Sequence, residues 1–386
     1  MRRTGFAIIA VALALFASSS AAHAQATGIS MDIDPSIRAS GMGGSSTAVL
    51  WGPGTNFWAN PAVTASESGF RYEYGHTQLL PQLASDLSFT SSVLKLGGYG
   101  IGTVIAGEPF GGMELNYGAS LATDENGNPI GTFSSFERVK TWGVGVSVLQ
   151  VIEALSGDLS RPVSRYIDFS AGMNLKHLEM NIAPMAGHAE ADNRDWGIAA
   201  RITPVIHQTE DVNVQLDASF GLSELSADDK PIMFPFQDIA TPVSRHQKRG
   251  IATRFQVGPS LHPWKDSPWR RAFAPWVQLS AAADWTTVSA GGSPYSYDTK
   301  GMGAEVGFAN VLWLRAGHYE DLGGDIDGTT WGWGIALPAG DFGGVRYDGA
   351  RFPVSRSSGL DDHIRHGVQV WLDPWAIARG MKPRSI

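Results

Sequence analysis

Residues 212–223 read Val-Asn-Val-Gln-Leu-Asp-Ala-Ser-Phe-Gly-Leu-Ser, an unbroken alternation of apolar and small or polar side chains. An extended strand turns successive side chains to opposite faces. Val212, Val214, Leu216, Ala218, Phe220 and Leu222 therefore share one face, and Asn213, Gln215, Asp217, Ser219, Gly221 and Ser223 the other. The period returns along the chain. Trp142, Val144, Val146 and Val148 alternate with Gly143, Gly145 and Ser147. Ile167, Phe169, Ala171, Met173 and Leu175 alternate with Asp168, Ser170, Gly172, Asn174 and Lys176, and Trp331, Trp333, Ile335 and Leu337 with Gly332, Gly334 and Ala336. Such a pattern specifies an all-β chain, either a soluble sandwich or a barrel.

Segment length separates these two. Soluble strands average about five to six residues, whereas a strand crossing a bilayer needs about nine to eleven. Fourteen segments can be drawn, near 69–75, 85–107 (kinked at Gly97-Gly98), 113–122, 139–151, 166–178, 194–206, 212–224, 249–260, 273–288, 300–308, 311–319, 329–337, 342–348 and 363–372. Most have bilayer-spanning length, and their minor face is rich in Gly, Ser, Asn and Asp, as a wet lumen requires. Trp142, Trp196, Trp285, Tyr319 and Trp371 fall near segment ends, where interfacial girdles lie. Connections alternate long and short, the longest being Leu225–Lys248; Ile152–Arg165 and Leu261–Ala272 break the rule. The expected fold is a fourteen-stranded antiparallel transmembrane β-barrel spanning residues 69–372 in the bacterial outer membrane.

Charge and export agree. Only 17% of residues are charged, against about a quarter in soluble proteins, and net charge is −8, so nucleic acid is not an expected partner. With Cys 0, disulfides, thiolate metal sites and a cysteine nucleophile are excluded. Residues 1–24 read as a signal peptide: Arg2-Arg3, an apolar core from Phe6 to Phe16, and Ala22-His23-Ala24 before the cut.

Between signal and strands lies a glycine-rich leader, residues 25–68. Its centre, Ser40–Ala62, holds Gly41, Gly43, Gly44, Gly52 and Gly54 and closes on Asn60-Pro61-Ala62. Glycine and proline at this density exclude a long helix and favour a tightly turned plug. Met42, Val49, Leu50, Trp51, Phe57 and Trp58 would anchor it. Gly41-Met42-Gly43-Gly44 followed by Asn60-Pro61-Ala62 resembles the N-terminal signature of FadL-type outer-membrane proteins, with the PorV/PorQ branch most similar. The acidic pair that many relatives carry between the two halves is absent; the stretch reads Leu50-Trp51-Gly52-Pro53-Gly54-Thr55. The resemblance implies a fourteen-stranded barrel with a lumenal hatch, and a hydrophobic small molecule as ligand or cargo.

Other clusters read blandly. Asp124–Pro129 has its glycine at the fourth position, where a calcium loop of the EF type needs it at the sixth, so Asn126-Gly127 reads as a turn. Glu320, Asp321, Asp325 and Asp327 form an acidic outer loop, either solvated or bridged by divalent cations to lipopolysaccharide. His363 and His366 would face opposite ways on a strand, which argues against a metal site. Arg245, His246, Lys248 and Arg249 form a basic rim, solvated or touching lipid phosphates. Gly98-Tyr99-Gly100-Ile101-Gly102 lacks the spacing of a nucleotide loop and reads as a kinked strand. No GxSxG elbow or HExxH pair nominates an enzyme, and no cofactor is implied.

Two functions follow as expectations. A FadL-like barrel would pass hydrophobic small molecules across the outer membrane. A PorV/PorQ-like barrel would instead serve as partner of a protein secretion apparatus, through the long loop bearing Met233, Phe234, Pro235 and Phe236. Residues 373–386, with Pro374, Gly380 and Pro383, are expected to be a periplasmic tail.

Overall fold

The computed structural model describes residues 28–374 except 53, 55, 81, 83, 125, 157–162, 182–187, 229, 235–238, 262–265, 291–295, 324–325 and 356–359. The expected signal peptide, residues 1–24, and the expected tail beyond residue 374 lie outside the described residues, as do Pro53, Thr55, Pro235, Phe236 and Asp325.

The leader has 3-10 turns at Ile29–Met31 and Pro61–Ser66 around a short helix α1, Ile37–Gly41. The strands are β1 Gly69–Leu80, β2 Ala84–Gly98, β3 Ile101–Ala106, β4 Met113–Thr123, β5 Pro129–Ser147, β6 Ile167–Asn181, β7 Ala189–Gln208, β8 Val212–Leu225, β9 Ile232–Phe234 and β10 Ile239–Thr241. They continue with β11 Ser244–Pro259, β12 Val277–Ala290, β13 Ser296–Phe308, β14 Leu312–Asp321, β15 Ile326–Pro338, β16 Gly343–Phe352 and β17 His363–Leu372. Helix α2, Val148–Ser156, follows β5, and helix α3, Pro268–Ala272, precedes β12. Strand β17 returns antiparallel to β1, from Phe70↔Leu372 to Gln78↔Ile364, so the sheet closes and leaves no open edge. Seventeen strands make fourteen staves, because β3 and β4 share one position and β9 pairs with β10 in a separate hairpin within a loop.

The third stave departs from the expected strands. The segment 85–107 is not one kinked strand but a hairpin, β2 and β3, turning at Tyr99-Gly100 with both residues at positive φ, 56° and 80°. Two-residue hairpin turns demand that backbone, and only one of the two positions here is glycine. The stave then breaks: Ala106 pairs with Thr141 and Met113 with Val139, so residues 107–112 are inserted against Lys140 alone. The expected strand 113–122 is thus the upper half of a stave, and the total stayed at fourteen because the two errors cancel.

Several strands outrun their expected ends. Strand β5 starts at Pro129 rather than 139, β11 at Ser244 rather than 249, and β16 runs to Phe352 rather than 348. Beyond the lipid both faces are wet, so the ladder continues while the alternation that marks it fades. Conversely, residues 148–151, expected to extend a strand, begin α2.

Outward side chains form the apolar belt, among them Trp142, Trp196, Phe220, Ile251, Trp285, Leu314, Trp331, Val368 and Val370. Among the described residues no helix is long and apolar enough to cross a membrane; the strands do the crossing. Two expected girdle residues do not belong to it. By strand parity Tyr319 and Trp371 point inward; Tyr319 packs against Phe352, ring centroids 4.9 Å apart, and Trp371 against Gly344.

Candidate functional site: the filled lumen

The lumen wall carries glycine where the leader runs. A Cβ built on Gly102 would lie 1.9 Å from the Thr64 carbonyl oxygen, on Gly172 2.4 Å from that of Pro61, and on Gly221 2.3 Å from that of Thr47. On Gly301 it would lie 2.1 Å from the Gly43 oxygen, and on Gly303 2.4 Å from that of Met42. These glycines are neighbours across strands: Gly97↔Gly102, Gly102↔Gly145, Gly145↔Gly172 and Gly172↔Gly197 form one continuous row. Side-chain-free backbone is what lets leader and wall approach so closely.

Asn60 is the pivot of the row. Its Oδ1 accepts from the Ala62 N–H at 3.0 Å and starts the Pro61–Ser66 turn, while its Nδ2 donates to Thr47 O at 2.9 Å and to Ile198 O, on β7, at 3.2 Å. Gly43 donates its N–H to Thr330 Oγ1 at 2.9 Å, and the Thr330 hydroxyl donates to Gly41 O at 3.2 Å. Asp284 accepts from Ser46 N, Thr47 N and Thr47 Oγ1 at 2.9, 2.9 and 2.7 Å.

Charge ties the leader to the opposite wall. Arg38 of α1 grips Glu305 with Nε at 3.0 Å and Nη2 at 2.7 Å, and its Nη1 donates to Trp51 O at 2.7 Å. Glu305 also binds Arg315, which bonds Asp348, which in turn takes Arg346. Arg365 donates to Thr77 Oγ1, Ser40 Oγ and Asp34 O. Two expected anchors meet cations: Lys176 lies 3.4 Å over the Trp58 ring while pairing with Asp195 at 2.8 Å, and Arg254 lies 5.1 Å over Trp51.

From β2 to β7 the lumen holds an apolar cluster, with Lys95, Glu137, Lys176 and Asp195 also buried on the same wall. Phe89, Val93, Val104, Ala106, Met113, Leu115, Val139, Leu178 and Met180 all point inward and are buried. The chain fills this chamber itself, with Met31, Phe57 and Trp58 from the leader and Ile232 from the β9–β10 hairpin. Ala106 and Met113 border the 107–112 insertion, so the chamber abuts the break in the wall. Beside the break lies a cavity of about 720 Å³, lined by inward-pointing Thr141, Lys176 and Asn193 and outward-pointing Trp142, Leu175 and His177.

Of the residues singled out from sequence, Gly41, Met42, Gly43 and Gly44 adjoin β13, β14 and β15. Asn60, Pro61 and Ala62 adjoin β6 and β7, and Trp51, Phe57 and Trp58 are buried. Sequence reasoning did not find Arg38, Glu305, Arg315, Arg346 and Asp348, nor the inward apolar set. A carboxylate in the middle of a spanning strand, such as Glu305, was the available signal. Outside this region, the Asn128 side-chain amide donates to Asp124 Oδ2 at 2.9 Å and the N–H groups of Asn128 and Asn126 donate to Oδ1, and these bonds, the Asn128 amide foremost, hold the carboxyl below the usual range at a plain turn. His318 lies 3.1 Å from Asp327, Lys300 3.7 Å from Glu320, and Arg245 bonds Glu224. His363 and His366 face opposite sides, and His366 takes Tyr347 at 3.0 Å. No metal-holding cluster occurs among the described residues.

Fold and lumen together define an outer-membrane β-barrel of fourteen staves with its own N-terminal segment packed against the inner wall. No family model and no curated protein matches the chain. Solved structures similar to it include a Pseudomonas aeruginosa FadL homologue (10% identity, covering 87% of this chain and 97% of that one, TM-score 0.39). Two more are the Pseudomonas putida toluene transporter TodX (12%, 87% and 97%, 0.40) and the Ralstonia pickettii toluene transporter TbuX (10%, 88% and 98%, 0.43). Scores this low leave the reading to rest on the strands and side chains themselves. The PorV/PorQ resemblance is carried by the leader motif alone.

Proposed function

We propose that the barrel binds an apolar small molecule in the chamber between β2 and β7 and passes it out through the break at residues 107–112, with the leader as hatch. One observation carries this: the only long insertion within a described stave lies beside the inward apolar cluster. The chamber is packed by Met31, Trp58 and Ile232, all on segments outside the wall, so cargo can take their place without opening the ladder. The charged network on the far side holds the leader while that happens. The ligand would be recognised by shape and desolvation, since the chamber lining offers mainly aliphatic and aromatic surface.

The register supplies the test. Replacing residues 107–112 by a single residue would let it pair with Lys140 and make the stave continuous. That variant should assemble normally, while uptake of an apolar solute into cells or vesicles falls to background. Unchanged uptake would refute passage at the break. Mass spectrometry of the lipid extract of purified protein should show a bound apolar compound that the variant Val104→Asp lacks.

The docking alternative is favoured by no specific observation: Pro235 and Phe236 lie outside the described residues. Of the long loop's apolar residues, Ile232 is buried and Phe234 packs against the chamber, while Met233 is exposed.

A further inference from the structure

Helix α2 is amphipathic the wrong way round for a soluble protein. Its polar side chains are tied down at the rim: Gln150 Nε2 donates to Asp168 Oδ2 on β6 at 2.6 Å, and Glu153 accepts from Ser164 N at 2.7 Å and from Ser164 Oγ at 2.5 Å, in the turn Val163–Arg165 that leads into β6. Its apolar edge, Val148, Ile152 and Leu155 at helical spacing, points away, with Leu155 83% exposed. None of its residues is buried. The helix begins one residue after β5, whose outward face ends in Trp142 and Val146, so the apolar edge continues the lipid belt. Exposed Tyr99, Tyr166 and Phe169 flank it at the same rim. This rim carries the turns at 99–100, 209–211, 309–311 and 339–342 and both ends of the barrel, which marks it as the periplasmic end.

We propose that α2 is a lipid-binding element whose Val148, Ile152 and Leu155 edge is embedded in the phospholipid of the periplasmic leaflet. A free interfacial helix keeps a charged face in water. Here the polar face is taken up by Asp168 and Ser164, so the helix is fixed to the rim with its apolar edge presented as part of the membrane-contacting surface. The inference does not depend on the transport reading.

The chain has Cys 0, which makes single-cysteine spin labelling clean. The full-length protein is reconstituted in phosphatidylethanolamine–phosphatidylglycerol vesicles with labels at Ile152→Cys or Leu155→Cys. Val146→Cys serves as the lipid standard and Asn126→Cys as the aqueous one. The helix labels should match Val146→Cys, colliding with oxygen several-fold more than with a water-soluble nickel chelate. A ratio matching Asn126→Cys would overturn the proposal in favour of a solvated helix. Shielding from both reagents, or spin–spin broadening between molecules, would overturn it in favour of a protein-covered face.

Discussion

Removing the Glu305 carboxylate should release the leader without unfolding the barrel. Glu305 is fully buried and holds Arg38 through two bonds and Arg315 through a third, at 2.7–3.0 Å. With Asp348 it faces three guanidiniums, those of Arg38, Arg315 and Arg346. In Glu305→Ala one carboxylate would remain for three buried cations. Deleting one partner of a buried pair costs about 3–5 kcal/mol, because the charge left behind is desolvated and uncompensated. Arg315 and Arg346 sit in the closed ladder and cannot leave; Arg38 sits on the short helix α1 and can. The cost therefore appears as displacement of α1, and at tenfold per 1.4 kcal/mol it raises the population of displaced leader by roughly a hundred- to a few thousand-fold. Ion conductance across a planar bilayer would read this directly: wild type closed, Glu305→Ala open for a measurable fraction of time. Both proteins should keep the slower migration of boiled against unboiled samples. Arg38→Met combined with Glu305→Gln should leak no more than Arg38→Met alone, because Glu305 bonds the leader through Arg38. A Glu305→Ala protein that folds and stays as silent as wild type would refute the claim that this network secures the leader.

Gly172→Val should lower the heat-modification midpoint, because its Cβ would stand 2.4–2.7 Å from backbone atoms of Pro61 and Ala62, and overpacking costs about 1–3 kcal/mol or more; Gly107→Val, where the nearest atom to an added Cβ is 3.6 Å away, is the control. Trp51→Ala with Trp58→Ala removes two buried anchors at about 3–5 kcal/mol each, so the protein should assemble yet leak small ions. Val370→Asp puts a charge on the lipid face of β17 and should abolish the heat-dependent shift in membrane fractions, whereas deletion of residues 375–386 should preserve it.

What the sequence makes legible is whatever repeats locally. Alternation exposed most staves, and parity correctly placed His363 and His366 on opposite faces. The Tyr99-Gly100 turn stayed hidden because a tyrosine at positive φ has no compositional mark, while Gly97-Gly98 beside it does. The apolar chamber was hidden for a different reason. Val104-Ile105-Ala106 is apolar on both faces, so it reads like any buried strand rather than a lumenal lining. The charged network joins Arg38 to Glu305 across 267 residues, a juxtaposition that only closure of the barrel creates.

The glycine row also bears on the order of manufacture. Leader and wall meet backbone to backbone on staves that reach round to both sides of the seam, where Gly75 faces Gly367 and the tip of Ile37 rests against both. A segment drawn into a finished cylinder would have to slide along a wall that its backbone meets at contact distance. Laying the segment down first, with the sheet curling over it like a mould around a core, avoids that passage, and the leader's place ahead of β1 in the chain is suited to it. The last step is then the zipping of β17 to β1 over contents already in place. Changes in the glycines would be felt as failures of sealing before they were felt as failures of passage.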